Sequence, residues 1–147
     1  MLRKLNTKRG GFTLVEIMIV VAIIALLAAI AVPNFLRSRK RSQATQLLED
    51  LRVIASAVDQ YAIENNKKRD DSAAWTDVQK YLKTDTRLYA CNYLDLFGNT
   101  FSGAPVGTTA YVAGTFYVDG NVELHLQTFN ALSDVAPASF WSPYYNP

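Results

Sequence analysis

Residues 9–32 read RGGFTLVEIMIVVAIIALLAAIAV, and residues 17–32 within them are 16 consecutive apolar amino acids. With its flanks, the apolar segment extends over residues 12–36, which is about 37 Å of helix at ~1.5 Å per residue. That length is enough to cross the roughly 30 Å hydrocarbon core of a bilayer. A core helix of a small soluble domain is normally apolar on one side, whereas this segment is apolar on every side. The pattern therefore predicts one membrane-spanning helix.

Charge divides the rest of the chain into unlike parts. Residues 1–11 and residues 37–41 each carry four Lys or Arg and no acid, whereas residues 42–147 hold seven Lys or Arg against twelve Asp or Glu. The two flanks of the helix are thus equally basic, but the short head is the part that translocates poorly. We expect a cytoplasmic N-terminus and a body outside. The position of the second basic cluster at the membrane exit favours phospholipid headgroups over nucleic acid.

The residues directly before the apolar run are Arg9-Gly10-Gly11-Phe12-Thr13-Leu14-Val15-Glu16. A short basic leader, then Gly-Phe-Thr-Leu-x-Glu opening a long apolar helix, resembles the N-terminal segment of type IV pilins and type II secretion pseudopilins. The resemblance covers residues 1 to about 41. It implies cleavage after Gly11 by a prepilin peptidase and N-methylation of the new terminal residue, Phe12, by the same enzyme.

Glu16 is the one ionisable group within the apolar segment. Its carboxylate lies one helical turn from Phe12 and could pair with the new α-ammonium of its own chain. In a stack of parallel helices it could instead meet Phe12 of a neighbouring subunit and set the axial register. The family resemblance favours this assembly role. The remaining alternative is a glutamate solvated by lipid headgroups.

Two further features lie near the end of the apolar run. Pro33 removes a backbone hydrogen bond and predicts a kink or break in the helix, or it marks the membrane exit. Ala29-Ile30-Ala31 has the small-x-small spacing of an ordinary signal-peptidase site, whose use would release a protein beginning at Val32. The length of the apolar run and Glu16 at its head oppose that alternative.

The body reads as an α+β module, a pilin-like fold in which a long N-terminal helix packs on a small antiparallel sheet. Apolar residues at i, i+3 and i+4 steps continue the helix to about residue 66. The resemblance then implies a leader at 1–11, a membrane and polymerisation helix at 12–36 and a periplasmic domain at 37–147. Within that domain we expect the following segments: a short helix at 72–83 capped by Asp71 or Ser72, a sheet within 100–130 with strands at 109–113, 115–118 and 122–126, a hairpin turn at 119–121, and an aromatic tail at 140–147.

One loop supports the secretion branch of the resemblance. Asp95-Leu96-Phe97-Gly98-Asn99-Thr100-Phe101 is similar to a turn of major pseudopilins, although both prolines of that turn are absent. Gly98 and Asn99 suit a tight turn with positive φ. Cys91 cannot form the C-terminal disulfide that is typical of type IV pilins, because it is the single cysteine. The resemblance also raises the prospect of calcium, but the acids after residue 90 are scattered and no ligands are assigned.

Composition and motifs argue against an enzyme. The single histidine, His125, is expected on the outer face of a strand with no nucleophile arranged beside it. No phosphate loop, dinucleotide fingerprint or metal-ligand cluster occurs, so neither a catalytic residue nor a metal site is predicted.

The resemblance, together with the turn at 95–101 and the single cysteine, implies a structural subunit of a type II secretion pseudopilus. The resemblance implies these partners: prepilin peptidase, other copies of the chain, other pseudopilins, an inner-membrane platform protein, a secretion ATPase and the phospholipid membrane. Nucleic acid is not expected among them. The protein would be a single-pass inner-membrane protein with a periplasmic domain, assembled into a filament. The alternatives are a type IV pilus pilin, serving adhesion, motility or DNA uptake, and a membrane-anchored or released extracellular binding module.

Overall fold

The structure is a computed structural model that describes residues 11–105 and 112–145. It has the expected α+β, pilin-like architecture, in which one long N-terminal helix is followed by two small antiparallel sheets and short helices. The chain divides within the first helix, between Arg37 and Ser38, into two compact units.

Helix α1 is Leu14–Glu64 and ends within two residues of the predicted boundary. In the second unit one stripe of α1 is buried, which is the periodic pattern that predicted an amphipathic helix. The buried residues are Ala44, Leu47, Leu48, Leu51, Ile54, Ala57, Val58 and Ala62. Because they recur at three- and four-residue steps, they form one continuous face against the domain.

Pro33 lies inside α1, and the helix continues beyond it. The break that was one of the sequence-based alternatives therefore does not occur. A proline removes a single backbone hydrogen bond, and the intact turns on both sides keep this 51-residue helix continuous.

The remaining elements are short. They are β1 Ser72–Ala74, α2 Trp75–Val78, a 3-10 turn Gln79–Tyr81, α3 Arg87–Ala90, β2 Ser102–Ala104, β3 Thr115–Tyr117, β4 Asn121–Glu123, α4 Leu126–Leu132 and a 3-10 turn Ala138–Trp141. Strands β1 and β3 form one antiparallel pair, and β2 and β4 form the other.

The prediction of a helix at 72–83 is wrong in its first and last residues. Residues 72–74 form strand β1, in which Ser72 lies opposite Tyr117 of β3. The amide of Trp75, the first residue of α2, donates to the carbonyl of Gly114, the residue before β3, at 2.8 Å, so the contact with this segment continues past β1. Asp71 does not cap α2, because its carboxylate accepts the Lys68 amide at 2.8 Å.

The prediction of one sheet within 100–130 is also wrong in its pairing. Strands β3 and β4 flank the expected turn, closed by the Gly120 amide on the Tyr117 carbonyl at 3.0 Å, but they do not pair with each other. Strand β3 pairs with β1 and strand β4 pairs with β2, so the two sides of the turn have different partners. The predicted strand at 109–113 lies outside the described residues at 109–111, and residues 112–113 are not in a strand.

The predicted strand at 122–126 ends at Glu123, and helix α4 starts at Leu126. The reason is a helix cap. His125 has extended backbone, and its ring Nδ1 accepts the Gln127 amide at 3.2 Å, which satisfies one of the free donors of the first helical turn. The histidine expected on the outer face of a strand is therefore the N-cap of α4.

The aromatic tail is packed into the domain through residue 145. Trp141 is fully buried, and its indole nitrogen donates to the Ala136 carbonyl at 3.1 Å. The Leu124 amide donates to the Tyr144 carbonyl at 2.8 Å, and the ring of Tyr145 stacks on Phe129 at 4.0 Å between centroids. The tail thus completes the core after β4.

Candidate functional site

The predicted processing residues stand just before α1. Gly11 has no other group within 4 Å of the position that a Cβ would take, and Phe12 is 84% exposed. Residues 11–13 are not helical, and α1 starts at Leu14. The bond between Gly11 and Phe12 is therefore in exposed, non-helical backbone, the form in which a peptidase can bind a chain.

Glu16 makes local contacts that the sequence reasoning missed. Its carboxylate oxygen accepts the Thr13 amide at 2.8 Å and the Thr13 hydroxyl at 2.7 Å, and the Glu16 amide donates to the Thr13 hydroxyl at 3.3 Å. This is a capping box, in which the residue before the helix and the third helical residue satisfy each other's amides. The Thr-x-x-Glu spacing is a known sequence signature and could have predicted it.

The first part of α1 exposes apolar surface on all sides. It is long and apolar enough to span a membrane, and no residue of its apolar window is buried. The large exposed side chains are Leu14, Val15, Ile17, Met18, Ile19, Val20, Val21, Ile23, Ile24, Leu26, Leu27, Ile30, Val32, Phe35 and Leu36. Such a surface is stable in lipid or against other apolar helices.

The turn at 95–99 is built around one buried carboxylate. Asp95 Oδ1 accepts the Phe97 amide at 2.8 Å and the Asn99 amide at 2.9 Å, while the Asp95 amide donates to the Asn99 carbonyl at 2.8 Å. Gly98 has φ +80°, as the turn prediction required. Asn99 is not among the residues with positive φ, so that part of the prediction is wrong. Its backbone instead closes the turn onto Asp95.

Thr128 of α4 connects this turn to the rest of the domain. Its side chain is fully buried, and its hydroxyl donates to the second oxygen of Asp95 and accepts the Asn99 side-chain amide at 2.8 Å. The sequence reasoning missed Thr128. No local signal could have found it, because it lies 33 residues from Asp95 along the chain.

Two ion pairs attach the outer half of α1 to the domain. Lys40 lies 3.0 Å from a carboxylate oxygen of Asp134, and Arg87 pairs with Asp50. Burial raises the pKa of the Asp50 carboxyl, and the neighbouring Arg87 guanidinium opposes that rise.

Among residues 11–105 and 112–145, no three His, Cys, Asp or Glu side chains converge to hold a metal ion. Burial raises the pKa of the Cys91 thiol, and its sulfur donates to the Leu88 carbonyl at 3.0 Å, which fits a packed residue.

The comparisons with known proteins agree with this N-terminal architecture. Residues 6–32 match the family described as the prokaryotic N-terminal methylation motif. The chain is 40% identical over 67 residues to the type IV major pilin protein PilA of Myxococcus xanthus, covering 46% of this chain and 30% of that protein. It is 44% identical over 64 residues to the type IV wide pilus major component PilA4 of Thermus thermophilus, covering 44% and 49%.

A type II secretion protein matches as well. The chain is 32% identical over 60 residues to the type II secretion system core protein G of Aeromonas hydrophila, covering 41% of this chain and 42% of that protein. The matches thus span between about a third and a half of these relatives' lengths. No solved structure matches the chain significantly.

The long apolar helix behind a Gly-Phe boundary, followed by a small α+β domain, defines a pilin-like structural protein rather than an enzyme. Residues 6–32 carry the prokaryotic N-terminal methylation motif, and over 60 to 67 residues the chain is similar both to type IV pilins and to a type II secretion system core protein G.

Proposed function

We propose that this chain is the structural subunit of a type II secretion pseudopilus and assembles into a filament through α1. The observation that carries the proposal is the apolar surface of the first part of α1, which begins at Leu14 and is exposed among the residues that the structure describes. A subunit that passes from the membrane into a filament exchanges lipid for other copies of the same helix. That exchange needs a helix that is apolar all round.

Processing follows from the domain organisation that we propose. Residues 1–11 form the leader, residues 12–36 the membrane and polymerisation helix, and residues 37–147 the periplasmic domain. Prepilin peptidase cleaves after Gly11 and methylates Phe12. Cleavage creates an α-ammonium, which is charged or nearly so at neutral pH.

The capping box bears on assembly. In the uncleaved chain the Glu16 carboxylate is engaged with Thr13. After cleavage the α-ammonium of Phe12 in a neighbouring subunit competes for that carboxylate, and the charged contact is favoured in an apolar helix bundle. Glu16 would thus set the register between copies.

The location and machinery belong to the same proposal. The chain is a single-pass inner-membrane protein with a cytoplasmic N-terminus and a periplasmic domain. Its partners are prepilin peptidase, other copies of itself, other pseudopilins, an inner-membrane platform protein and a secretion ATPase, with the work of assembly supplied by the last two.

The direct test is the intact mass of the protein purified from membranes. We expect a chain that begins at Phe12 and is heavier than its sequence by one methyl group, about 14 Da. A chain beginning at Val32, or still at Met1, would contradict the processing and with it the filament. Glu16→Ala should keep that mass but yield no filaments on overexpression, as viewed by electron microscopy. Normal filaments from this variant would overturn the assembly role of Glu16.

The second candidate is a type IV pilus pilin, which the matches to the proteins of Myxococcus xanthus and Thermus thermophilus favour. The turn around Asp95 and the single cysteine favour the pseudopilus. Deleting the gene separates the two. Lost protein secretion with surface pili retained supports the pseudopilus, and lost pili with secretion retained supports the pilus. Monomers in detergent and no filaments under overexpression would point to an anchored binding module.

A further inference from the structure

The domain carries an open groove at the C-terminal end of α1. The groove has a volume of about 940 Å³, and its lining includes Asp59, Ala62 and Ile63 of α1 together with Val118 and Asp119 of the turn between β3 and β4. Ile63 is 79% exposed, although it is a large apolar residue. The groove therefore combines an apolar wall with two carboxylates that come from separate elements.

Neither carboxylate has a cationic partner in the described part of the chain. The ion pairs there are those of Lys40, Arg52, Lys80 and Arg87, and none of these includes Asp59 or Asp119. Burial raises the pKa of the Asp59 carboxyl, and the nearby Asp119 raises it further. The carboxylates of Asp59 and Asp119 thus repel each other, and a bound cation would relieve that repulsion.

Two lysines also line the groove, but neither forms an ion pair with Asp59 or Asp119 among the described residues. Lys67 has its ammonium 5.8 Å from the ring centroid of Tyr61, a cation–π contact. Lys68 uses its backbone amide to close the loop onto Asp71. The two lysines balance the two carboxylates, so the overall charge of the groove is near zero. Binding of a charged partner would therefore depend on pairing between individual groups.

Two exposed arginines lie at the start of the part of α1 that belongs to the domain. Arg39 and Arg41 are exposed and take part in no ion pair among the described residues, whereas Lys40 between them is held by Asp134. Helix geometry separates the two arginines. Arg39 is 20 residues from Asp59, hence about 200° around the helix and about 30 Å along it, whereas Arg41 is 18 residues away and lies on the same side as Asp59.

We infer that the groove at Asp59 and Asp119 is a docking site for Arg39 of a second copy of this chain. The inference rests on the proposed filament, in which parallel copies of α1 lie side by side with their domains outward. In that arrangement opposite flanks of the helix meet, so the flank bearing Asp59 faces the flank bearing Arg39 of the neighbour. A neighbour displaced by about 30 Å along the helix axis brings its Arg39 level with Asp59. Ile63 and Val118 pack on the aliphatic stem of the arginine, and the guanidinium lies between the carboxylates.

Cross-linking between copies tests the contact directly. One chain carries Arg39→Cys and the other Asp59→Cys, both in a Cys91→Ser background, so that a short thiol-specific cross-linker can join only different copies. We expect cross-linked dimers in the filament fraction. The matched control uses Arg41→Cys in place of Arg39→Cys and should give severalfold fewer dimers, because Arg41 lies on the same flank as Asp59. Equal yields from the two pairs would overturn the inference.

Charge reversal gives an independent readout. A single exposed ion pair changes an association constant by about two- to fivefold, but a filament repeats the contact in every subunit. We therefore expect Arg39→Glu to reduce filament yield strongly and Arg41→Glu to leave it near wild type. Combining Arg39→Glu with Asp59→Arg should restore filaments. If the wild-type chain forms no filaments, the proposed function fails. If the wild-type chain forms filaments and Arg39→Glu gives the same filament yield, only this docking site fails.

Discussion

Replacing Thr128 by valine removes one hydroxyl from the interior while keeping the shape of the side chain. That hydroxyl donates to the Asp95 carboxylate and accepts the Asn99 side-chain amide at 2.8 Å, and Thr128 is fully buried. A hydrogen bond to a charged group contributes about 1.5–3 kcal/mol, and a neutral one about 1 kcal/mol. Allowing for the added buried methyl group, we expect Thr128→Val to lower the free energy of unfolding by about 2–3 kcal/mol.

The assay is thermal unfolding of the full chain in detergent, followed by near-ultraviolet circular dichroism. Both tryptophans, Trp75 and Trp141, are buried in the domain, so this signal reports the domain while the apolar part of α1 stays helical in the micelle. For a domain of about 100 residues, 2–3 kcal/mol lowers Tm by roughly 10–20 °C. Thr128→Ser is the matched control, because it keeps the hydroxyl and removes one methyl group, at a cost of about 1 kcal/mol.

Two results would refute this reasoning. One is a Thr128→Val protein within about 0.5 kcal/mol of wild type, which would mean that water or other groups satisfy Asp95. The other is a serine variant as unstable as the valine variant, which would assign the effect to packing. A double-mutant cycle with Asp95→Asn should give a coupling energy well above zero, since the two side chains are in direct contact.

Two further substitutions are predicted from the same domain. The pKa of Asp59 is raised above the usual 3.8, so this group favours folding below that pH, and the stabilisation is lost as the pH rises through the raised pKa. Asp59→Asn should therefore raise Tm modestly at pH 7 and leave it unchanged near pH 3. An equal rise in Tm at both pH values would contradict the electrostatic cause. Gly120→Ala would place a methyl carbon 2.5 Å from the Ala104 carbonyl oxygen. We therefore expect the free energy of unfolding, measured with denaturant, to fall by about 1–3 kcal/mol. An unchanged denaturant midpoint would show that the turn can move.

The Asp59 and Arg39 predictions also separate stability from assembly. Neutralising Asp59 should stabilise the domain, because it removes the cost of partly burying the charge and, in addition, the repulsion from Asp119. The same change should weaken the docking of Arg39 from another copy. A residue that improves the filament at the expense of the monomer is expected where an interface has to stay open until a partner arrives.

The errors in the sequence-based account have a common physical cause. The residues of β1 were read as the start of a helix because no local feature shows that β3 is their partner. Strand β4 was extended too far because Val122, Leu124 and Leu126 alternate with polar residues, and the cap that His125 supplies to α4 overrides that alternation. Short apolar patterns are ambiguous between strand and helix, so tertiary contacts decide them.

The sequence alone determined the apolar helix and the amphipathic stripe that continues it, because both depend on periodicity along one helix. The leader at 1–11 and the cleavage after Gly11 stay predictions from the motif. The sequence also located the turn at 95–99. The tertiary structure decided which strands pair, how Trp141 completes the core, and that Thr128 holds Asp95. These contacts join residues far apart in the chain, and their free energy exists only once folding has brought the residues together and removed them from water.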